Sequence, residues 1–453
     1  MSLTSLLGIA RSALMVHQRA MTVTGNNVAN AQTPGYSRQR LELTQATPGW
    51  SPSGSMGRGV EANTISRARD VFFDAAYRRD SSLLNHASTS GDILGQLEAG
   101  LGEPGTAGLG ASIDNLFTAF GDLANDPTSN TSRMLVSQAA NRLTDRFHQA
   151  DTNITQLISD GIGRLRQQTS EVNKLAKQIA DLNVQILAAG SGGSPALEDQ
   201  RDLALDQLSG LMSINVVHLD NGTVDVQTGG SPLVNAGSSY DLTVRLSNTL
   251  GPGVGFAGNT GRIDPGGGSM KALIDLTATQ LPGYRAQLDK LAKSVVEQVN
   301  NIHKVGYTLA GATSINFFDP TSITAGSITL SDDIKASNDA IAAGDTPGGG
   351  DGGNAMRMGD LVHVPLIALG NLSLRDYYVG FSSAVGAAVS DAQQQATIHG
   401  TLVNNDDAQR QQVSGVSVDE EMVNLISQQQ AYGAAARLIS IASQMSQELL
   451  NMI

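Results

Sequence analysis

The sequence of 453 residues contains no cysteine and few aromatic residues, with Phe, Trp and Tyr making up 4% of the chain. The absence of cysteine excludes disulfides, thiolate nucleophiles and cysteine-based metal sites. Because aromatic side chains are scarce, Leu, Ile, Val, Ala and Met must fill the cores. With 50 glycines, this composition favours helices that pack closely together.

Basic residues are also fewer than acidic ones. The chain has 29 Lys and Arg and 42 Asp and Glu, which gives a formal net charge of −13. Such a surface repels phosphate backbones and anionic lipid, so we expect no nucleic-acid partner. No run reaches the roughly 18 apolar residues of a transmembrane helix, so membrane insertion is not expected either. The N-terminal residues MSLTSLLGIARSALMVHQRA lack a basic segment before their apolar residues. We therefore expect a cytoplasmic protein or one exported without a cleaved signal peptide.

The N-terminal segment predicts a helix with several adjacent apolar faces. One row recurs every seven residues and comprises Leu7, Leu14, Met21 and Val28, and other rows run beside it. A helix that packs on a single core needs an apolar stripe only a little over 100° wide. This helix therefore requires neighbours on more than one side.

The last 36 residues have the same character. Their apolar residues form two successive rows with the three-four spacing of a coiled-coil seam, namely Met422, Leu425, Tyr432, Ala436 and Ile439, then Leu438, Ala442, Met445, Leu449 and Met452. Ser417 followed by three acidic residues predicts the helix start. Two sparsely charged apolar helices at opposite ends favour pairing with each other. The pair is either an intramolecular hairpin or, given its wide apolar faces, a surface buried between subunits.

The rest of the chain predicts a mainly α fold with β insertions in an elongated, multi-domain arrangement. Helical periodicity covers 158–186, 273–302 and 376–413, whereas 212–264 and 306–360 show strand-like alternation, the first around an Asn221-Gly222 hairpin signal. We expect a terminal coiled-coil domain at 1–35 and 415–453. We also expect a helical bundle at 36–211, 265–305 and 361–414, and β-rich outer insertions at 212–264 and 306–360. SGGSPA (191–196) and DPGGGS (264–269) are the expected connectors.

Catalytic motifs are absent or out of context. The seven histidines are scattered, and neither HExxH nor GxSxG occurs. GLGEPG (100–105) and GVGFAG (253–258) match GxGxxG, but neither follows a strand and opens a helix as a phosphate loop does. No catalytic, cofactor or metal site is therefore predicted, and we expect no enzyme.

The remaining titratable groups have ordinary structural interpretations. Asp319, Asp332 and Asp333 lack the spacing of a calcium loop, and we expect them in solvated turns. We expect His303 at the end of a helix, as a cap or as a partner of the helix dipole. The acids of LEDQRDLALDQLS (197–209) alternate with Leu, which predicts the solvent face of a short helix.

Residues 25–40, GNNVANAQTPGYSRQR, are rich in amides and suggest either a ligand loop or a helix end. Thr33-Pro34-Gly35-Tyr36 has the Pro-Gly centre of a type II turn, which predicts that the chain leaves the helix here. The short amides before the turn can satisfy the last helical carbonyls. We expect the polar groups Asn27, Asn30, Tyr36 and Arg38 to contact neighbouring subunits rather than a small molecule.

The same stretch resembles the N-terminal motif of bacterial flagellar axial proteins, which build the rod, the hook and the hook–filament junction. Its ending, TPGYSRQR, is most similar to the first-junction branch of that family. SGVSVDEEMVNLISQQQAYGAAARLI (414–439) is similar to the family's C-terminal motif. Three stretches between them fit the same branch, namely ISRARDVFFDAAYRRDSS (65–82), LEDQRDLALDQLS (197–209) and NNIHKVGYTLAG (300–311). Compared with the family, this chain is short in its β insertions.

The resemblance implies a structural protein of the extracellular flagellum, secreted unfolded through the type III export apparatus. It would assemble with its own copies into a ring that joins hook to filament. The implied partners are the hook protein, the second junction protein and an export chaperone on the C-terminal region. The terminal helices would form a coiled coil that lines the axial tube and would become ordered only on docking. The alternatives are another axial component (hook, distal rod or second junction protein) or an enzyme displayed on the flagellum.

The assembly interface that we expect on this basis lies on the terminal helices and the motif that follows the first of them. It comprises Leu7, Leu14, Met21, Val28, Asn27, Asn30, Tyr36, Arg38, Met422, Leu425, Tyr432, Leu438, Met445 and Leu449.

Overall fold

The computed structural model describes residues 3–452 except 48, 52, 53, 103, 104, 106, 107 and 191–193. Its α-helices are α1 (Leu3–Asn30), α2 (Val71–Leu101), α3 (Leu109–Asn125), α4 (Asn130–Ala189), α5 (Pro195–Leu211), α6 (Gly268–Asp275), α7 (Leu281–His303), α8 (Asp332–Ala336), α9 (Gly353–Asp360), α10 (Leu374–Ser414) and α11 (Val418–Asn451). Its strands are β1 (Gln39–Gln45), β2 (Gly49–Ser51), β3 (Gly54–Met56), β4 (Val60–Arg67), β5 (Asn215–His218), β6 (Val224–Thr228), β7 (Ser231–Asn235), β8 (Ser238–Ser239), β9 (Leu242–Ser247) and β10 (Gly251–Phe256).

Helix α4 is the longest helix among the described residues. Its 60 residues span about 90 Å at 1.5 Å per residue. The side chain of Ser129 caps its start by accepting a hydrogen bond from the backbone N–H of Ser132. Further along, buried residues recur at intervals of seven, at Leu165, Val172, Ile179 and Ile186. The predicted helix at 158–186 is therefore confirmed as the second half of α4.

Other helices pack against α4 or against its neighbours, as expected of an elongated bundle. Helix α2 lies against α10, α3 and α5 lie against α4, and α6 continues through a π-helical turn at 276–280 into α7. The predicted helices at 273–302 and 376–413 are confirmed by α6–α7 and α10. One continuous apolar core joins these helices, and Phe120 and Phe147 are among its fully buried side chains.

The β structure follows the prediction in one segment. Strands β5 to β8 form an antiparallel sheet in sequence order, and β9 pairs with β10 in a hairpin. The Asn221-Gly222 signal is confirmed, because Gly222 has φ +85° and donates its N–H to the Leu219 carbonyl between β5 and β6. Sequence reasoning missed the antiparallel ribbon of β1 and β4, which lies within the range assigned to the helical bundle.

The predicted β structure at 306–360 is wrong. The described chain there forms two isolated bridges, Tyr307 with Gly344 and Phe318 with Leu330, together with the short helices α8 and α9. Its alternating residues belong to irregular backbone packed into the core. The Asn300 side chain stabilises that backbone by accepting from the Phe317 and Phe318 N–H groups and donating to the Phe318 carbonyl.

The two terminal helices pair with each other in antiparallel fashion. Asn27 contacts Glu421 near one end, and His17 contacts Gln428 further along, so α1 and α11 run in opposite directions. Helix α1 also packs against β1 and β4. The expectation that α1 has neighbours on more than one side is thus confirmed. Within the described residues, no helix has the length and apolar character needed to span a membrane.

Candidate assembly interface

The seam between the terminal helices uses the small residues of α11. Glu421, Ala435 and Ala442 are its buried residues, and Gln428, half-buried, accepts or donates a 2.7 Å hydrogen bond with His17. These four positions recur every seven residues, which is the period of a coiled-coil seam. Small side chains at the seam let α1 approach closely. The larger apolar side chains of α11 consequently lie elsewhere on the helix.

Those larger side chains form an exposed apolar row along the last turns of α11 and the residue that follows the helix. We define this α11 row by its members, which follow one another at intervals of three or four residues: Leu438, Ile441, Met445, Leu449 and Met452. They are between 41% and 83% exposed. A contiguous apolar surface of this kind marks an interaction site rather than a solvated face.

The structure distributes the predicted interface residues over three environments. The exposed ones are Met422, Tyr432, Leu438, Met445 and Leu449. The half-buried ones are Leu7, Leu14, Met21, Val28, Asn30, Tyr36, Arg38 and Leu425, and Asn27 is buried. The predicted set omits Met452, although the sequence places it in the same apolar row, and it omits Ile441, which sequence reasoning missed. Contact of these residues with another subunit stays a prediction.

Asn27 is the centre of a joint between the two helices. Its Oδ1 accepts from the Tyr36 hydroxyl and the Gln39 N–H, each at 2.9 Å. Its Nδ2 donates to the Gln39 carbonyl and to the Glu421 carboxylate, again at 2.9 Å. All four hydrogen-bonding positions of the amide are occupied within the chain. This fixes the exit of α1 against the start of α11.

The turn after α1 has the predicted geometry. The Tyr36 N–H donates to the Thr33 carbonyl at 3.1 Å, and Gly35 has φ +80°, as the third position of a type II turn requires. Asn30 Nδ2 donates to the Asn26 carbonyl at 3.0 Å and so satisfies the helix end. Burial raises the pKa of Tyr36 to about 12, and the nearby carboxylates of Asp199 and Glu421 add to the shift. The tyrosine therefore stays a hydrogen-bond donor at neutral pH.

A buried charge cluster fastens this joint to the helical bundle. Asp202 lies 2.7 Å from Arg67, 3.2 Å from Arg69 and 3.3 Å from Arg78. Arg410 of α10 reaches Asp206 at 2.7 Å, and other members of the cluster are Asp74, Glu198 and Asp199. The Ser37 N–H donates to Asp199 at 3.1 Å, which links the cluster to the turn after α1.

The predicted solvent face at 197–209 is therefore wrong. Asp199 and Asp202 are buried, because the arginines of β4 and α2 neutralise them. Burial acts to raise the pKa of Asp202, but Arg69, Arg67 and Arg78 hold it well below its usual range. Sequence reasoning missed this cluster because its acids and bases lie far apart in the chain. The pattern ISRARDVFFDAAYRRD was the available signal, since its arginines flank an apolar run.

His303 is a core residue, and its predicted role as a helix cap is wrong. It is fully buried, with Nδ1 donating to the Ile315 carbonyl at 2.8 Å and Nε2 accepting the Ala342 N–H at 2.9 Å. Burial lowers its pKa to about 4, so the ring is neutral. The other chemical candidates also have structural roles. Asp319 caps a local turn through Thr321 and Ser322, and Asp332 and Asp333 are exposed in the first turn of α8.

No described part of the chain brings together three or more His, Asp or Glu that could hold a metal ion. The GVGFAG stretch starts within strand β10 rather than between a strand and a helix. GLGEPG and SGGSPA lie partly outside the described residues.

Comparison with known protein families gives three matches in chain order. Residues 7–36 match "Flagella basal body rod protein", 94–318 match "Flagellar hook-associated protein FlgK helical domain", and 408–452 match "Flagellar basal body rod FlgEFG protein C-terminal". The terminal matches cover the paired helices α1 and α11, and the central match covers most of the bundle around α4.

Relatives match over nearly the whole chain. "Flagellar hook-associated protein 1" of Bacillus subtilis is 29% identical, covering 98% of this chain and 97% of its own length. The Escherichia coli and Salmonella typhimurium proteins of that name are 22% and 24% identical, each covering 99% of this chain and 100% of its own length. The solved flagellar hook junction protein FlgK from Burkholderia pseudomallei has the same fold, with a TM-score of 0.65 at 19% identity, covering 76% of this chain and 100% of that one.

The three family matches cover the paired terminal helices and much of the bundle between them, and they show an axial protein of the bacterial flagellum. Within that class, the chain belongs to the flagellar hook-associated protein 1 family. The predicted family and the mainly helical fold with β insertions are thereby confirmed.

Proposed function

We propose that this chain joins the flagellar hook to the filament by assembling with its own copies into a ring. The observation that carries the proposal is the exposed α11 row on the helix whose sequence matches the C-terminal region of rod proteins. Assembly buries this row between subunits. The role is structural, and the proposal includes no catalytic step.

The α11 row is large enough to drive such a contact. Burying one exposed Leu, Ile or Met side chain contributes about 2 kcal/mol, so five roughly half-exposed ones contribute on the order of 5 kcal/mol per subunit. Association entropy opposes this gain for an isolated pair of subunits. In a ring, each subunit makes the contact on both sides, which favours the closed assembly over free pairs.

The finer assignments follow from the family and from the exposed helix. In this proposal the ring lies between the hook protein and the second junction protein, in the extracellular flagellum, with the terminal pair lining the axial tube. The chain is exported through the type III apparatus. Before assembly, a chaperone covers the C-terminal region, where α11 presents the apolar row that requires cover.

The proposal predicts that charges in the α11 row block assembly. Leu438→Asp and Met445→Asp each place a carboxylate in a contact that must lose water. Ser443→Asp is the matched control, because it adds the same charge to an exposed polar position of the same helix. The measurement is swimming motility and the amount of each variant in isolated hook–filament structures, in cells that lack the wild-type chain.

We expect the two row variants to appear in the culture medium and not in the hook–filament structures, whereas the control is incorporated normally. Circular dichroism of each purified variant reports whether the bundle is folded. Normal filaments from Leu438→Asp and Met445→Asp cells would contradict the proposal.

A further inference from the structure

Helices α2 and α10 pack against each other in antiparallel fashion. At one end of this contact, Arg410 lies 2.9 Å from Asp74, within the buried charge cluster. Further along, a Cβ built on Gly91 would lie 3.7 Å from the Ala392 side chain. We call the contact between these two pairs the α2–α10 seam. It holds α10 in place just above its link to the charge cluster.

Two carboxyl groups face each other in this seam. Asp80 of α2 is 3% exposed, and Asp406 of α10 lies within hydrogen-bonding reach of it. The Asp80 carboxylate accepts two hydrogen bonds from the Arg79 guanidinium, at 3.0 and 2.9 Å. Asp406 differs, since its Oδ2 atom is enclosed without a hydrogen-bond partner among the described residues. Buried polar atoms are nearly always paired, so this oxygen requires an explanation.

The charged and titratable groups around Asp406 come from α2 and α10 and are Arg79, Asp80, His399 and Arg410. His399 lies two turns away on the same face of α10, and its Nδ1 atom is likewise enclosed with no partner in the described part of the chain. Arg410 contacts Asp74 and Asp206 instead, at 2.9 and 2.7 Å. The charges that α3 and α7 bring to α10, Asp114 and Lys290, lie at its other end.

The two carboxyl groups titrate in opposite directions. Burial raises the pKa of Asp406, and the neighbouring charge of Asp80 adds to the shift. The hydrogen bonds from Arg79 lower the pKa of Asp80. Two adjacent carboxyl groups of this kind can hold one proton between them, because both cannot ionise without mutual repulsion.

We propose that Asp80 and Asp406 form an acid-closed clasp across the α2–α10 seam, in which protonated Asp406 donates an O–H···O hydrogen bond to the Asp80 carboxylate. The proton comes from water, which reaches the pair beside the Arg79 side chain, 69% exposed. Ionisation of Asp406 returns the proton to water, breaks the hydrogen bond and leaves two negative charges facing each other. The clasp makes the attachment of α10 to α2 depend on the pH of the surrounding medium, independently of assembly.

The sign of this dependence follows from the raised pKa of Asp406. The clasp stabilises the seam fully below the unfolded pKa of about 3.9, and this stabilisation is lost as the pH rises through the higher folded value. The Asp202 cluster behaves in the opposite way, because its lowered pKa makes its contribution fall in acid. Acid therefore tightens the seam while it weakens the neighbouring cluster.

Asp406→Asn tests the clasp, because the amide has nearly the size of the carboxyl group and offers an N–H donor to Asp80 at every pH. Asp407→Asn is the matched control. It removes the same charge from the next residue, whose carboxylate accepts a 2.6 Å hydrogen bond from Gln411. Hydrogen exchange of the purified full-length chain is measured at pH 7.5 and pH 4 for amides 78–86 and 398–408. Each rate is divided by the intrinsic rate at that pH.

At pH 7.5 we expect these amides to exchange several-fold more slowly in Asp406→Asn than in the wild type or Asp407→Asn. At pH 4 the wild type should match Asp406→Asn. The proposal is overturned if Asp406→Asn gives no extra protection at pH 7.5, or if both variants slow exchange equally. Full pH dependence of the seam in Asp406→Asn would assign the proton to another group, such as His399, and would also overturn it.

Discussion

The Glu421 carboxylate receives two charge-assisted hydrogen bonds from the Arg38 guanidinium, at 2.7 and 2.8 Å. Its second oxygen accepts from Asn27 at 2.9 Å, and the residue is only 2% exposed. Arg38 follows α1 and Glu421 lies in the first turn of α11. This pair therefore holds the two terminal helices at one joint, although nearly the whole chain separates them in sequence.

Glu421→Ala should open this joint, because it leaves Arg38 without its buried partner and removes one of the two acceptors of the Asn27 amide. Removing one partner of a buried ion pair typically costs about 3–5 kcal/mol. We expect this loss of stability to appear as faster hydrogen exchange of the amides around residues 27–39 and 418–425. Glu420→Ala is the matched control, since that side chain is 65% exposed and contacts the same arginine at 3.2 Å. A similar exchange rate in both variants would contradict this role of Glu421.

Asp202→Asn should destabilise the folded bundle by about 3–5 kcal/mol at pH 7, because three arginines then lack their shared carboxylate. The folded-state pKa of Asp202 is lowered, so its contribution is present above the unfolded pKa of about 3.9. That contribution is lost as the pH falls below this value. Urea unfolding at pH 7 and at pH 3 should thus show a difference from wild type that shrinks in acid.

The control for this experiment is Asp332→Asn, which removes a fully exposed carboxylate and should leave the midpoint of urea unfolding almost unchanged at both pH values. If the Asp202 variant differed from wild type equally at both pH values, the cluster would stabilise the fold by packing alone.

The sequence predicted those features that depend on local order. Heptad rows located the second half of α4 and the terminal helices, and the Pro34-Gly35 pair located the turn, because helix periodicity and turn geometry involve residues close together in the chain. The exposed α11 row was also visible, since its spacing is local. The sequence did not show which face of α11 meets α1, because the small residues Ala435 and Ala442 form the seam instead of the larger ones.

Features built from distant residues were missed. Asp202 looked like a solvent-facing acid, since the arginines that neutralise it come from segments more than a hundred residues earlier. Likewise, Asn300 supports irregular backbone at 317–318 that otherwise resembles a strand. In both cases, tertiary contacts overrode the local pattern, and a single sequence contains no direct signal for such contacts.

His303 should contribute a pH-dependent term to stability between about pH 6.5 and pH 4. Its pKa is lowered to about 4 in the folded chain, so the unfolded chain binds more protons in this interval and stability is lost as the pH falls. The difference from the usual 6.5 corresponds to about 3 kcal/mol. Protonation would also place a second N–H of the ring against the N–H of Ala342.

The check is chemical denaturation from pH 4 to pH 7 with His303→Gln, which does not titrate, and with the exposed His363→Gln as control. The slope of stability against pH should flatten only in the His303 variant. A His303 ring signal in nuclear magnetic resonance that titrates near pH 6.5 in the folded protein would overturn the argument.

Hydrogen exchange should show a graded loss of protection towards the end of α11 in the soluble monomer. The buried residues of α11 are Glu421, Ala435 and Ala442, so its last turns have little apolar burial to offset a backbone entropy of about 1–2 kcal/mol per residue. We expect amides 440–451 to open at a free-energy cost of no more than about 2 kcal/mol. Exchange of the amides around Leu143 and Phe147 in α4, both fully buried, should require nearly global unfolding.

Assembly into hook–filament structures should raise the protection of amides 440–451 and leave that of α4 unchanged. Equal protection of both segments in the monomer would mean that α11 is ordered without a neighbouring subunit, contrary to coupled folding and assembly.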